Sequence, residues 1–303
     1  MMDELEVIIP MDVPRAERDR FRENHLTVTR DSGRLMLFAG DQKLEHLNDD
    51  FYGKGAAPDD GDPEHLFRIA SLGRIGVFAT QFGLIARYGM DYQEVPYLVK
   101  LNSRTNLVST EQAEPLSREL MTVDQVVELR DENDLRITGV GYTVYIGSEH
   151  EATMLREAAQ MVHQAHRHGL LAVLWTYPRG KAVADERDAH LIAGATGAAC
   201  CLGADFAKVN YPEGKDAKER FKEAVLAGGR TKVVCSGGSS VEVEPFLRRL
   251  HDQIYVSGAA GNATGRNIHQ KPLDQAVRMC NAISAVTMEG TSVEAALRIY
   301  KGD

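Results

Sequence analysis

Short apolar runs alternate with stretches of helical spacing along most of the chain. Arg34-Leu-Met-Leu-Phe-Ala-Gly-Asp41 is an apolar strand that ends in a small residue and an acid. Residues 63–72 then carry apolar positions at helical spacing, with Pro63 at the start, where its missing N–H leaves no bond unmade. The alternation continues, with further strands predicted at 76–80, 97–101, 139–146, 171–176, 205–211, 231–235 and 254–257. Helices are predicted over 82–88, 122–132, 149–168, 185–202, 216–226, 243–251 and 272–288, and Gly169 stands where a C-cap is expected. Parallel strands need helical crossovers, and eight strand-helix units predict a (β/α)8 TIM barrel. Residues 34–303 form one barrel domain on this reading. Residues 1–33 have mixed charges, two prolines and no clear period, and read as an N-terminal extension laid over the barrel or a neighbouring subunit. A doubly wound open sheet is the alternative. It would have to hold more units than usual, and no Gly-x-Gly-x-x-Gly follows the first strand.

Composition narrows the partners. The 303 residues are 43% hydrophobic and 26% charged, an ordinary globular balance with a core to bury. A net charge of -9 argues against nucleic acid or an anionic membrane as the main partner, while an anionic small substrate remains open through a local site. No apolar run approaches a membrane span, and the acidic start Met1-Met-Asp-Glu is unlike a secretion signal, so the expected location is the cytoplasm. Cys200, Cys201, Cys235 and Cys280 have neither disulfide-framework nor zinc-ligand spacing and read as thiols in a reducing compartment.

The strand Asp205-Phe-Ala-Lys208-Val-Asn-Tyr211 carries a lysine where a parallel strand, covered on both faces, is normally apolar. Lys208 either snorkels to solvent and pairs with a carboxylate, or it is an amine in a partly dry pocket, poised to form a Schiff base. Strand ends bear on that choice, because catalytic groups of this fold lie there. Strand one ends at Asp41; strand three carries Lys100 and Asn102, strand four Tyr142 and Tyr145, strand five Trp175 and Tyr177, strand six Lys208 and Asn210. Alternation puts Trp175 and Tyr177 on one face, and Phe206, Lys208 and Asn210 on one face. Tyr177 is thus either a rim aromatic or an acid-base partner of the lysine.

Two glycine-rich stretches follow, Ser236-Gly237-Gly238-Ser-Ser240 and residues 258–267, which include Gly265 and Arg266. The loops after strands seven and eight are the recurrent phosphate site of such barrels, and arginine adds a charge-assisted contact. His163, His166 and His168 look like metal ligands but lie at the end of a crossover helix, where a solvated face is the expected reading. Arg179 and Lys181 are left open between a phosphate contact and a loop cap. No metal-ligand cluster is read.

Asp41-Gln-Lys-Leu-Glu-His46, Gly141-Tyr-Thr-Val-Tyr-Ile-Gly-Ser148, Trp175-Thr-Tyr-Pro-Arg-Gly180, Ala204 to Tyr211, Ser236-Gly-Gly238 and Gly265-Arg-Asn-Ile-His-Gln270 occur in one order over residues 35–270. Together they resemble the archaeal-type class I fructose-1,6-bisphosphate aldolases, within the deoxyribose-phosphate aldolase-like superfamily. The resemblance implies reversible cleavage to dihydroxyacetone phosphate and glyceraldehyde 3-phosphate. It implies Lys208 as the Schiff-base lysine, Tyr177 as the main acid-base residue, and Asp41 as the group that positions a substrate hydroxyl or exchanges its proton. It further implies Trp175 lining the pocket and Ser236, Gly237, Gly238, Gly265 and Arg266 holding phosphate. His46 is placed among the binding residues without a definite role, and Lys100 has none. No cofactor or metal is implied, and a large homo-oligomer is. Ser239-Ser240 and the long extension depart from the common pattern. A related branch, a 2-amino-3,7-dideoxy-D-threo-hept-6-ulosonate synthase-type transaldolase, uses a similar lysine and tyrosine, so the motifs leave the substrate open. A barrel that binds sugar phosphate without turnover is the alternative from outside catalysis.

Overall fold

The computed structural model describes residues 6–46, 48–105 and 114–303. Eight parallel strands close into a barrel: β1 (Leu35–Ala39), β2 (Val77–Gln81), β3 (Tyr97–Lys100), β4 (Ile137–Ile146), β5 (Leu171–Pro178), β6 (Phe206–Val209), β7 (Lys232–Ser236) and β8 (Gly261–Thr264). Strands follow one another round the ring, and β1 closes it by pairing with β2 and β8. Leu37, Ala39, Ala79, Leu98, Val173, Trp175, Phe206, Val234 and Ala263 point inward as one cluster. The alternate residues, such as Phe38, Phe78, Val99, Leu174 and Ala207, pack outward into the larger core. Both faces are dry, which is why these strands read as continuous apolar runs rather than as alternation.

The N-terminal extension holds a helix, α1 (Arg18–Thr29), that the sequence pattern missed. Only Phe21, Val28 and Thr29 of it are buried, a stripe too narrow to show a period. Val13, Phe21 and Val28 join the inner cluster beside Leu35, Val77 and Leu171, residues at the N-terminal ends of their strands, so the extension plugs the bottom of the barrel. Asn24 Nδ2 donates to the Gly169 carbonyl at 2.8 Å and fastens it.

The helix α2 (Gln42–Glu45) is a single turn that follows β1. The crossovers between successive strands are α3 (Glu64–Leu72), α4 (Phe82–Tyr88), α5 (Val123–Asn133), α6 (Glu151–Arg167), α7 (Ala189–Cys201), α8 (Lys222–Gly228) and α9 (Val243–Tyr255), and β8 is followed by the one-turn α10 (Arg266–His269), α11 (Leu273–Glu289) and α12 (Val293–Lys301). On α6 the histidines depart from the solvated face. His163 is exposed, but His166 is 1% exposed, its Nδ1 2.9 Å from Asp12 Oδ2 and its Nε2 3.3 Å from Asp205 Oδ2. Burial alone would lower its pKa; the carboxylates of Asp205 and Asp12 outweigh that and hold it up at about 9. Among the described residues no group of three or more His, Cys, Asp or Glu could hold a metal ion.

The eighth strand lies elsewhere than the pattern predicts. Residues 254–257 are the end of α9 and the turn after it; the strand is Gly261-Asn-Ala-Thr264. Phe246, Leu247, Leu250 and Ile254 are the buried stripe of α9, so the apolar run that imitates a strand is the last turn of a helix. The true strand carries small and polar residues. Outward-facing Asn262 donates to Thr287 Oγ1 on α11 at 2.7 Å and accepts from Thr264 Oγ1 at 2.9 Å, so hydrogen bonds stand where apolar packing was expected.

Candidate active site

At the C-terminal ends of the strands a cleft of about 600 Å³ opens into the barrel. All ten residues expected at the site line it: Asp41, His46, Trp175, Tyr177, Lys208, Ser236, Gly237, Gly238, Gly265 and Arg266. The floor is Trp175, which points inward from β5. It fits because β4 has Gly141 opposite: a Cβ there would lie 2.3 Å from the indole Cζ3, closer than any side chain tolerates. Lys208 sits beside it in register, paired with Trp175 across β5 and β6, its Nζ 4.9 Å from the ring centroid.

Lys208 is 5% exposed. Burial pushes its pKa down; Asp41 and Glu45 oppose this, and Arg266 adds to it. Among the described residues no oxygen accepts a hydrogen bond from its Nζ, so the amine lone pair is open to an electrophile. Tyr177 lies two residues beyond Trp175 on the same face of β5, with Tyr145 beside it in register on β4. Burial, reinforced by Asp41, Glu45 and Tyr145, pushes the Tyr177 phenol well above its ordinary value, so it rests as a proton donor. Asp41 is 1% exposed, and its Oδ1 is buried without a hydrogen-bond partner among the described residues. A buried acceptor left open in a cleft is a place for a substrate hydroxyl.

The two glycine-rich loops converge at the same end. The Gly237 N–H donates to the Ala263 carbonyl at 2.8 Å, and the Gly237 carbonyl accepts from Arg249 at 2.9 Å, which sets the turn at Ser236-Gly237-Gly238. Gly238 has φ +70°, a conformation that glycine adopts without strain. At Gly265 a Cβ would meet Gln42 Oε1 at 2.2 Å and the Ala39 carbonyl at 2.6 Å, so only glycine lets the chain turn from β8 into α10 against α2. Arg266 Nη1 lies 3.7 Å from Asp50 Oδ2, and its Nε is buried without a partner among the described residues. His46 Nδ1 is 2.5 Å from the same Asp50 oxygen, which ties it to the rim rather than to the lysine.

Sequence reasoning named neither Glu45 nor Arg179 among the site residues. Glu45 lies four residues after Asp41, the spacing that puts both carboxylates on one face of a helical turn. Arg179 is held in a two-pronged pair with Glu186 at 2.8 Å and lies 5.6 Å over the Tyr145 ring, at the outer end of the cleft. Lys100 was noticed without a role; it lies beneath the cleft at 5.3 Å from the centroid of Trp175.

Residues 35–271 match the pattern of the DeoC/LacD family aldolase. The chain is 60% identical over 298 residues to the fructose-bisphosphate aldolase/6-deoxy-5-ketofructose 1-phosphate synthase of Methanocaldococcus jannaschii, covering 98% of this chain and 96% of that one. Fructose-bisphosphate aldolase class 1 of Halobacterium salinarum is 35% identical over 271 residues, covering 89% and 96%. Among solved structures, a fructose-bisphosphate aldolase from Slackia heliotrinireducens superposes with a TM-score of 0.95 at 54% identity, covering 98% of this chain and 94% of that one. An archaeal fructose-1,6-bisphosphate aldolase whose catalytic lysine is covalently bound to the carbinolamine intermediate superposes at 0.76 with 30% identity, covering 88% and 99%. The chain therefore belongs to the DeoC/LacD family of aldolases, among its class I, Schiff-base-forming members.

Proposed function

We propose that the chain cleaves fructose 1,6-bisphosphate reversibly to dihydroxyacetone phosphate and glyceraldehyde 3-phosphate through an iminium on Lys208. The observation that carries the assignment is a buried amine that has no hydrogen-bond acceptor among the described residues, in one cleft with a phenol at rest and a carboxylate oxygen that has no partner among them. Lys208 Nζ adds to the C2 carbonyl of the open-chain ketose to give a carbinolamine. Tyr177 gives its proton to the departing hydroxyl, which leaves as water, and the iminium forms. The tyrosinate left behind takes the proton of the C4 hydroxyl, held by Asp41 Oδ1, as the C3–C4 bond breaks and its electron pair flows to the iminium nitrogen. Glyceraldehyde 3-phosphate leaves; the enamine is then protonated at C3 by Tyr177 and hydrolysed to dihydroxyacetone phosphate and free Lys208.

The reading gives the phosphates separate ends of the cleft. Ser236, Gly237, Gly238, Gly265 and Arg266 receive one, and the rim with Arg179 the other, with Trp175 as floor and His46 at the margin. It needs no cofactor. We place the reaction in the cytoplasm, a choice supported by four free thiols; among the described residues no helix is long and apolar enough to cross a membrane. A large homo-oligomer remains part of the proposal.

A second reading rests on the double name of the Methanocaldococcus jannaschii relative. The enamine on Lys208 is a carbon nucleophile, and an acceptor other than glyceraldehyde 3-phosphate converts cleavage into transfer. Incubation with fructose 1,6-bisphosphate alone, then with added aldehydes, aspartate semialdehyde included, separates the two. Release of triose phosphates without an added aldehyde supports cleavage, and product only in the presence of the second aldehyde overturns it. Borohydride with dihydroxyacetone phosphate is expected to trap a covalent adduct at Lys208.

A further inference from the structure

The loop after β7 carries backbone N–H groups whose direction is set from outside the loop. The Gly237 N–H is spent on the Ala263 carbonyl, but among the described residues the N–H groups of Gly238, Ser239 and Ser240 donate to no acceptor. Two carbonyls of the same stretch are held. The Gly237 carbonyl accepts from Arg249 Nη2 on α9 at 2.9 Å and from Asn267 Nδ2 on α10 at 3.4 Å, and the Ser239 carbonyl accepts from the same Asn267 nitrogen at 3.0 Å. The Asn267 amide cannot turn over, because its Oδ1 accepts the Val241 N–H at 3.0 Å. Asn267 is 1% exposed and stands behind the loop, while Gly237 and Gly238 line the cleft. A peptide unit is planar and trans, so its N–H points opposite to its C=O. With the Gly237 carbonyl pinned to Asn267 and Arg249, the Gly238 N–H is turned away from both, an unspent donor at the wall of the cleft.

Strand order says which phosphate this donor meets. β6, which carries Lys208, lies between β5, which carries Tyr177, and β7, with β8 next in the ring. On the proposed mechanism Lys208 bonds C2 and Tyr177 serves C3 and C4, so C1 and its phosphate extend to the other side, over the ends of β7 and β8. We propose that Arg249 and Asn267 are positioning residues: they hold the Gly237 carbonyl and so aim the Gly238 N–H at the C1 phosphate, the group that dihydroxyacetone phosphate shares with the bisphosphate. Asn267 needs no contact with the substrate to do this. It follows Arg266 on α10, so one turn of helix both brings a charge to the phosphate and fixes the donor of the neighbouring loop. The inference rests on Lys208 being the Schiff-base lysine and on the glycine-rich loops receiving a phosphate.

The test compares the second-order rate of borohydride trapping with dihydroxyacetone phosphate against that with dihydroxyacetone, which lacks the phosphate, the labelled residue being located by peptide mass mapping. It is run on the full chain, on Asn267→Leu and on Arg249→Met. The parent is expected to prefer the phosphorylated ketone. Asn267→Leu alters no charge, and misdirecting one hydrogen bond to a charged group should lower that preference about tenfold. Arg249→Met should lower it at least as far, since a positive charge beside the loop goes with the bond. A merely structural role slows both ketones alike and leaves their ratio where it was. An unchanged ratio in Asn267→Leu, with label on Lys208, overturns the inference and leaves the assignment of Lys208 standing. Label elsewhere in the parent overturns that assignment and the inference with it. Should Asn267→Leu fail to fold, Asn267→Ala, which loses the same bonds and leaves room for water, decides in the same way.

Discussion

The tasks proposed for Lys208 and Tyr177, and the packing of Gly141, are separable, and substitution should part them. Lys208→Met removes the nucleophile, and both cleavage and borohydride trapping are expected to fall below detection while the fold survives. Residual trapping at the wild-type rate would disprove its role. Tyr177→Phe keeps the ring and loses the proton; kcat should fall by about 10²–10⁴ with KM little changed, since general acid-base steps are worth about that much. Single-turnover mass spectrometry should then find carbinolamine accumulating, and its absence together with an unchanged rate would refute the assignment. Gly141→Ala pushes a methyl to 2.3 Å from the indole. The expected cost is about 1–3 kcal/mol of stability from overpacking, read as a lower urea midpoint, with weakened substrate binding as Trp175 shifts. Lys208 and Tyr177 were legible because barrel closure aims strand ends at one place, so their convergence follows from strand count and alternation. Glu45 and Lys100 were visible as residues and not as a pair. Nothing in the sequence brings α2 and β3 to 3.8 Å of each other, since that distance depends on the tilt of a one-turn helix.

Among the elements, β8 and α1 show where hydrophobic patterning stops speaking. β8 replaces apolar side chains with Asn262 and Thr264, bonded to α11 and to each other, and no periodicity of apolar residues can report a strand held that way. The last turn of α9, carrying Ile254 and Tyr255, with Val256 as its C-cap, supplied a false signal at about the expected place. α1 buries too little to announce itself; it is secured instead by Asn24, Phe21 and the ionic contact through His166. The sign of that contact with pH is definite. His166 has its pKa raised to about 9 from 6.5, so its contribution to stability is complete below about 6.5 and is lost as pH rises through about 9. At most about 3 kcal/mol is at stake, the free-energy equivalent of the shift. Urea midpoints of the parent should decline across that window beyond those of His166→Gln. Parallel curves for the two proteins would show that the Asp12–His166–Asp205 bridge adds nothing.

At the scale of the molecule, an acidic chain of net charge -9 is assigned a bisphosphate substrate of about three to four negative charges. On the proposed reading the attraction comes from Arg266, Arg179 and loop N–H groups within the cleft, against the field of the whole. Screening shortens the reach of both fields to about 8 Å at physiological ionic strength, but the phosphate contacts are the partly exposed ones. KM for the bisphosphate is expected to rise several-fold between low and high salt while kcat holds; a salt-independent KM would contradict phosphate capture by charge. Treatment with EDTA should leave cleavage unaltered, because the iminium performs the electron withdrawal, and inactivation that zinc reverses would point to another mechanism. The ring that floors the cleft brings one more consequence. Trp175 is the only tryptophan of the chain. Its ultraviolet emission therefore reports on the cleft alone, and the proposed conversion of the Lys208 amine, 4.9 Å from the ring, to an iminium is expected to change that fluorescence without label or coupling enzyme.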